Sequence, residues 1–175
     1  VLPTAGGEYG FCAMAQQPDG KILVGGEFSN PEATLLRFNP DGTPDTSFNY
    51  DYDGSPQGNK PIMAIAVQPD GKIILGGDFD LVRLNSDGSR DTTFNSPVAL
   101  VIPYGMTLQP DGKIVGVVAS GLTRVNADGS PDAECHDAAV SWIWAVALQP
   151  DGRILIGGVF NTVNGFPIRN IARLN

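Results

Sequence analysis

The sequence predicts an all-β fold of short antiparallel strands, on three observations. A turn tetrad, Gln-Pro-Asp-Gly followed by Lys or Arg, recurs at Gln17–Lys21, Gln68–Lys72, Gln109–Lys113 and Gln149–Arg153. A second signature follows each tetrad: Arg37-Phe38-Asn39, Arg83-Leu84-Asn85, Arg124-Val125-Asn126 and Arg173-Leu174-Asn175. The residues ahead of each tetrad alternate with period two, the period of a strand. Self-similarity at a spacing of 40 to 51 residues marks a modular array.

Each element of the unit has its reason. In the first strand Ala13, Ala64, Gly105 and Ala145 align, as do Ala15, Ala66, Thr107 and Ala147. Larger residues interleave them: Cys12, Met63, Tyr104 and Trp144, then Met14, Ile65, Met106 and Val146. One face is small and the other large, and neither is polar, so the strand is expected between two sheets, with Trp144 in the core. The tetrad closes a hairpin: Pro fixes φ at the second turn position, Asp tolerates the third, and Gly takes the left-handed conformation. The next strand is apolar and in three units ends Gly-Gly-x-Phe, at Gly25, Gly76 and Gly157, where missing side chains suit a bulge or close backbone approach. The third unit has Val117-Val118-Ala119-Ser120 there instead. A third strand carries the Arg and runs to an Asp-Gly turn at Asp41, Asp87 and Asp128. A short fourth strand is expected at Asp45–Phe48, Asp91–Phe94 and, weakly, Asp132–Cys135, with Phe48 and Phe94 plugging the gap to the next unit.

About four short strands in roughly 40 residues make a β-propeller-type blade. The expected organisation is one repeat domain over 1–175, with units near 1–49, 50–95, 96–136 and 137–175. Val1 begins where a unit would resume, and Asn175 precedes the next Asp-Gly turn. The expectation is an incomplete ring, completed by further repeats or a second chain, or part of a larger array.

The pattern QPDGKIxxGGxF…RxNxDGSxDxxFN resembles the delta-60 repeat family, bacterial propeller-type units found in tandem arrays of secreted or surface proteins. The resemblance covers nearly the whole chain and implies the fold and an extracellular or cell-surface setting. It implies no activity and no functional residues.

Composition narrows the function. The net charge of −8 disfavours nucleic acid, which needs clustered cations. Eight of the eleven Lys and Arg occupy the two recurring positions, leaving Lys60, Arg90 and Arg169. No window approaches 18 consecutive apolar residues, so no membrane insertion is expected. Cys12 and Cys135 sit at apolar positions of the repeat and read as buried thiols, with a disulfide between them as the alternative. His136 is the only histidine and falls at a unit boundary, so Ser-His and His-metal chemistry have little to draw on. The expectation is no enzyme and no certain cofactor. The recurring Arg stands at a fixed offset from Asp45, Asp91 and Asp132, which predicts pairing inside each unit rather than a ring of ligand-binding cations.

Two binding candidates remain. Asn49, Asp51 and Asp53 place oxygen groups at alternate positions before Gly54, as in the first half of a calcium loop, although position twelve is Lys60 where a bidentate Glu would stand. Tyr50, Tyr52 and Phe166 are aromatic side chains on connecting segments, suited to stacking on a ligand. The favoured reading is a non-catalytic scaffold, adhesion or protein-binding module, with a glycan-binding propeller as the alternative and a propeller enzyme third. If Asn49, Asp51 and Asp53 hold Ca²⁺, several millimolar calcium should raise the melting temperature of the wild type but not of Asp53→Ala. At a hundredfold excess over Kd the gain is about 2.7 kcal/mol. An equal response in both proteins marks the segment as an acidic linker.

Overall fold

A computed structural model describes residues 11–26, 28, 34–48, 50, 60–77, 79–97, 105–118, 121–133, 138–140 and 142–174. The described chain is all-β, in four antiparallel sheets, each built on one of the four tetrad hairpins. The first holds β1 (Phe11–Gln16), β2 (Ile22–Gly26) and β3 (Leu35–Phe38). The second holds β4 (Ile62–Val67), β5 (Ile73–Gly77) and β6 (Phe79–Leu84). In the third, β7 (Met106–Leu108), β8 (Ile114–Val118) and β9 (Gly121–Val125) are joined by β10 (Ala138–Ala139), which pairs with β9. The fourth holds β11 (Ile143–Leu148), β12 (Ile154–Gly158) and β13 (Ile171–Leu174). These are propeller-like blades, stacked in chain order through their first strands, and the ring is not closed. Among the described residues no helix is long and apolar enough to cross a membrane.

The tetrads form the predicted hairpin turns. Gly20 donates to the Gln17 carbonyl at 2.9 Å, and Gln17 donates to that of Lys21 at 2.8 Å. Gly20, Gly71, Gly112 and Gly152 all have φ between 82° and 86°, the left-handed region that Gly enters without steric cost. The Gly-Gly ends allow the bulge the sequence suggests. The register slips between Phe11 and Ala13, between Ile62 and Ala64, and between Ile143 and Ala145, each opposite a Gly pair. A Cβ on Gly158 would lie 2.1 Å from the Trp142 carbonyl oxygen, so no other residue fits there.

Two expectations about the unit change. Among the described residues, Asp45–Phe48 and Asp91–Phe94 form turns rather than fourth strands. Asp45 accepts from the Ser47 amide at 3.0 Å and its hydroxyl at 2.6 Å, and Asp91 does the same with Thr93. These local bonds compete with a ladder and win. Only isolated bridges remain, Phe38 with Pro44, Leu84 with Arg90 and Val125 with Pro131. Trp144 is exposed, not buried, because it is the extra residue of the bulge between Ile143 and Ala145.

The core lies between the blades. Leu23 and Leu35 of the first pack with Ile62, Ile73, Leu75 and Leu84 of the second. Ile74, Leu81 and Phe94 of the second meet Ile114 and Val125 of the third. Val115, Val117 and Leu122 of the third meet Ile143, Ile154 and Ile156 of the fourth. Each blade therefore sets its small first-strand face and its Arg-bearing face against the large face of the next. Gly25 lies within 3.0 Å, counted from a built Cβ, of Ile62 and Ile65, and Gly105 likewise of Val146. Phe94 plugs the second gap, its ring against Gly129 of the following blade. Phe48 is half-buried against the first junction. Phe94→Ala should cost about 3–5 kcal/mol, as for other buried aromatics, and Phe48→Ala less. Denaturant unfolding of both checks the order, and equal midpoints for Phe94→Ala and wild type would remove the plug.

Candidate functional site

Three Lys, three Arg and three Asp converge at one recurring place, the junction between blades. Three segments of a unit supply it: the tetrad's Lys, the third strand's Arg, and the Asp that opens the following turn. In the first blade Asp45 Oδ2 accepts from Lys21 Nζ and Arg37 Nε, both at 2.8 Å. Asp91 does so with Lys72 and Arg83, both at 2.8 Å. Asp132 holds Lys113 at 3.0 Å and Arg124 at 2.6 Å. The pairing inside each unit that the Arg–Asp offset predicts is present in all three. The Lys partner was missed, although its own fixed place in the tetrad was the available signal.

The guanidinium also reaches the neighbour. Arg37 Nη1 donates to the Ser86 carbonyl and to Gln17 Oε1 at 3.3 Å. Arg83 Nη1 donates to the Ala127 carbonyl at 2.7 Å. Each Arg lies over an aromatic ring of its own unit, Arg37 4.3 Å from the Phe48 centroid and Arg83 4.8 Å from that of Phe94. Asp45 and Asp91 are held well below the usual carboxylate range, first by Lys21 and Lys72, then by the hydroxyls of Ser47 and Thr93. In the fourth blade Arg153 replaces Lys and turns back to Asp151 at 2.9 Å.

A cleft of about 240 Å³ opens above the first junction, lined by Gln17, Pro18, Asp19, Pro69, Asp70 and Ser86. Asp19 and Asp70 each accept from the backbone amide of the Lys two residues on, at 3.1 Å. The Arg37 guanidinium that reaches Gln17 and Ser86 in this lining is already committed to Asp45. The cleft thus presents turn backbone and acceptor groups, a polar notch rather than an assembled reaction centre.

The binding candidates fare differently. Asn49, Asp51, Asp53 and Tyr52 lie outside the described residues, as do His136, Cys135 and the Cys12 side chain. Tyr50 is half-buried and packs against the core between the first two blades. Phe166 is exposed, and its loop is better built than the sequence reading foresaw. Val163 and Phe166 exchange two backbone hydrogen bonds of 2.9 Å around Asn164-Gly165, whose φ angles of 50° and 81° make the two-residue hairpin turn that Asn-Gly favours. Trp142, Val159 and Ile168 of the same blade are also exposed, and Val159 donates to the Trp142 carbonyl at 2.9 Å. The Asn-Gly dipeptide was the signal for this presentation.

Four consecutive blades joined in this way define a β-propeller repeat protein. The chain belongs to the family described as "Domain of unknown function (DUF5122) beta-propeller", whose repeats match residues 17–48, 68–94, 109–134 and 149–175. No curated protein matches it. Among solved structures it is similar to a streptogramin B lyase, at 18% identity and a TM-score of 0.60 over 98% of this chain and 55% of that one. It is similar to the computationally designed Ika4 protein, at 13% identity and a TM-score of 0.62, covering 98% of this chain and 96% of that one. The extracellular domain of the putative one component system BT4673 from B. thetaiotaomicron aligns at 16% identity and a TM-score of 0.61, over 94% of this chain and 21% of that one. The chain thus spans about half the length of the lyase, and at these identities the likeness is one of fold.

Two predictions test the junction. Arg83→Met should destabilise by about 3 kcal/mol, the low end for breaking a buried ion pair, because Lys72 still faces Asp91. Unchanged unfolding would make the Arg dispensable to the fold. The second concerns acid. Because the carboxyls of Asp45 and Asp91 titrate lower when folded, their stabilisation is complete above the unfolded value near 4 and is lost as pH falls toward the folded values. Melting temperature should hold from neutral to about pH 5 and fall below about pH 4, with a shallower fall in Asp91→Asn.

Proposed function

We propose that this chain is a non-catalytic binding module of an extracellular or cell-surface protein, serving as a scaffold or adhesion element that engages protein. The carrying observation is the apolar group Trp142, Val159, Phe166 and Ile168, exposed on the fourth blade at the start of β11 and beyond the end of β12. Several large apolar side chains exposed on one blade are in keeping with an interaction surface. Here a hairpin with two backbone bonds holds Phe166, so little ordering would accompany binding. The extracellular setting draws support from the delta-60 resemblance and from the extracellular domain among the similar folds. The non-catalytic reading draws support from the repeating charges, which three blades bind into their junctions. Nucleic acid is not part of it, given the net charge of −8. The lyase likeness concerns shape at 18% identity and carries no reaction with it.

Exposed Trp142 and Phe166 also favour a second reading, a glycan-binding propeller, since aromatic faces stack on sugar rings. A glycan array and an array of surface proteins, probed with wild type and Phe166→Ala, separate the two. The protein-binding reading expects retention on protein spots that falls at least tenfold in Phe166→Ala, with no glycan bound. Glycan binding that Phe166→Ala abolishes would replace it with the second reading. Tightly bound transition metal in the purified protein would reopen the enzyme question.

A further inference from the structure

The tetrad turns leave a carboxylate oxygen unused. In each of them the Asp accepts through Oδ1 from the backbone amide two residues on, at 3.1 Å for Asp19, Asp70, Asp111 and Asp151 alike. That bond holds the carboxylate and leaves Oδ2 for another partner. In the fourth blade the chain fills it from within, Asp151 Oδ2 accepting from Arg153 Nη1 at 2.9 Å. Asp19 and Asp70 make the same turn with no partner on Oδ2 among the described residues. The chain thus shows once, on itself, that a guanidinium completes this turn.

Asp19 and Asp70 line one cleft, inside the stack between the tetrad turns of the first two blades. Gln17 supplies its donor. Gln17 is 5% exposed, its Oε1 accepts from Arg37 Nη1 at 3.3 Å, and its Nε2 donates to no described residue. That nitrogen is not among the side-chain atoms sealed off without a partner, so it opens on the cleft that Gln17 lines. Pro18 and Pro69 add two apolar rings. The other junctions lack the combination: Ala127 stands in the third blade where Ser86 stands in the second, and Asp151 is already occupied.

Size and charge narrow the occupant. At about 240 Å³ the cleft falls short of the ~300–1,000 Å³ of small-molecule pockets, which suits one side chain of a larger partner. Lys21 and Arg37 are both paired with Asp45, so neither serves Asp19 or Asp70. The net charge of −8 adds attraction for a basic partner. We propose that the cleft between the first two blades receives an arginine side chain of a partner protein. Its guanidinium forks onto Asp19 and Asp70, as Arg153 meets Asp151. Its methylene stem lies along the Pro18 and Pro69 rings, and its main-chain carbonyl accepts from Gln17 Nε2. Lysine fits less well, because an ammonium is a point charge without the planar fork. The site is separate from the fourth-blade surface, so either assignment stands if the other fails.

The test is an NMR titration of the isotope-labelled chain with blocked arginine, N-acetyl-arginine amide. Shifts should be confined to the cleft residues, Gln17–Asp19, Pro69–Gly71 and Ser86, and their chain neighbours, and should include the Gln17 side-chain amide. They should saturate in the millimolar range and weaken with salt. Asp19→Asn and Asp70→Asn should each weaken binding about tenfold, the equivalent of one charged hydrogen bond. Both keep a side-chain oxygen for the turn, so signals away from the cleft should not move. Asp111→Asn, in the same turn of the third blade, should bind as the wild type does. Blocked citrulline, the uncharged isostere, should not bind, and blocked lysine should bind more weakly. A wild type that shows no shift overturns the proposal. So does equal binding of citrulline or lysine, or binding that survives both cleft substitutions. Calcium chloride or a monosaccharide that moves these signals where blocked arginine does not also overturns it.

Discussion

One carboxylate in each of the first three blades organises the array. Asp45 and Asp91 use Oδ1 to close the last turn through the Ser or Thr two residues on, and all three Asp use Oδ2 to hold a Lys and an Arg at once. Each bond constrains the others. The turn fixes the carboxylate, the carboxylate orients the guanidinium through Nε, and the guanidinium then has Nη1 free to meet a backbone carbonyl of the next blade. A side-chain pair within one unit thereby sets the position of its neighbour. Buried ion pairs often contribute little net stability, because desolvation offsets their attraction, but removing one partner is costly. That asymmetry suits a device whose work is to fix geometry, while the apolar cores between blades provide most of the cohesion.

Backbone room is the second constraint. In blades one, two and four the Gly-Gly end of the second strand lies opposite a bulged first strand, and the Gly158 contact shows why a side chain is excluded there. The third blade has Val117 and Val118 at these places, and among its described pairs the first strand meets the second without a slip. Val117 donates to the Gly105 carbonyl at 3.2 Å, so the missing glycine has moved to the partner strand. This blade alone gains a described fourth strand, β10.

Much of this was legible because it depends on local chemistry repeated four times. The Pro-Asp-Gly turns, the strand periodicity and the Arg–Asp offset each state their own geometry. What escaped depends on competition or on absence of a neighbour. Asp45 and Ser47 satisfy each other locally, so a segment spaced like a strand becomes a turn. Trp144 carries a core residue's pattern but falls on the bulge, which depends on Gly157 and Gly158 of the next strand. Tyr50 was read as a linker aromatic, yet it sits against the core between blades because its large ring lies next to the junction that Phe48 also covers. Phe166 was placed on a loop correctly, while its hairpin went unread although Asn-Gly announces it.

The division of labour within the repeat follows from these constraints. Side chains that recur in every unit are engaged in holding units together, and a group that orients a neighbouring blade cannot reorganise around a ligand without loosening the stack. The units differ from one another chiefly in their connecting segments, which is where loops of a repeat scaffold vary most. The fourth blade differs most visibly: the segment between β12 and β13 carries an extra hairpin with Phe166 at its edge. The segment between the first and second units, with its alternating Asp and Tyr, is the other long departure from the pattern. Repetition supplies the frame, and the hairpin between β12 and β13 departs from it without taking part in the three Asp–Lys–Arg groups.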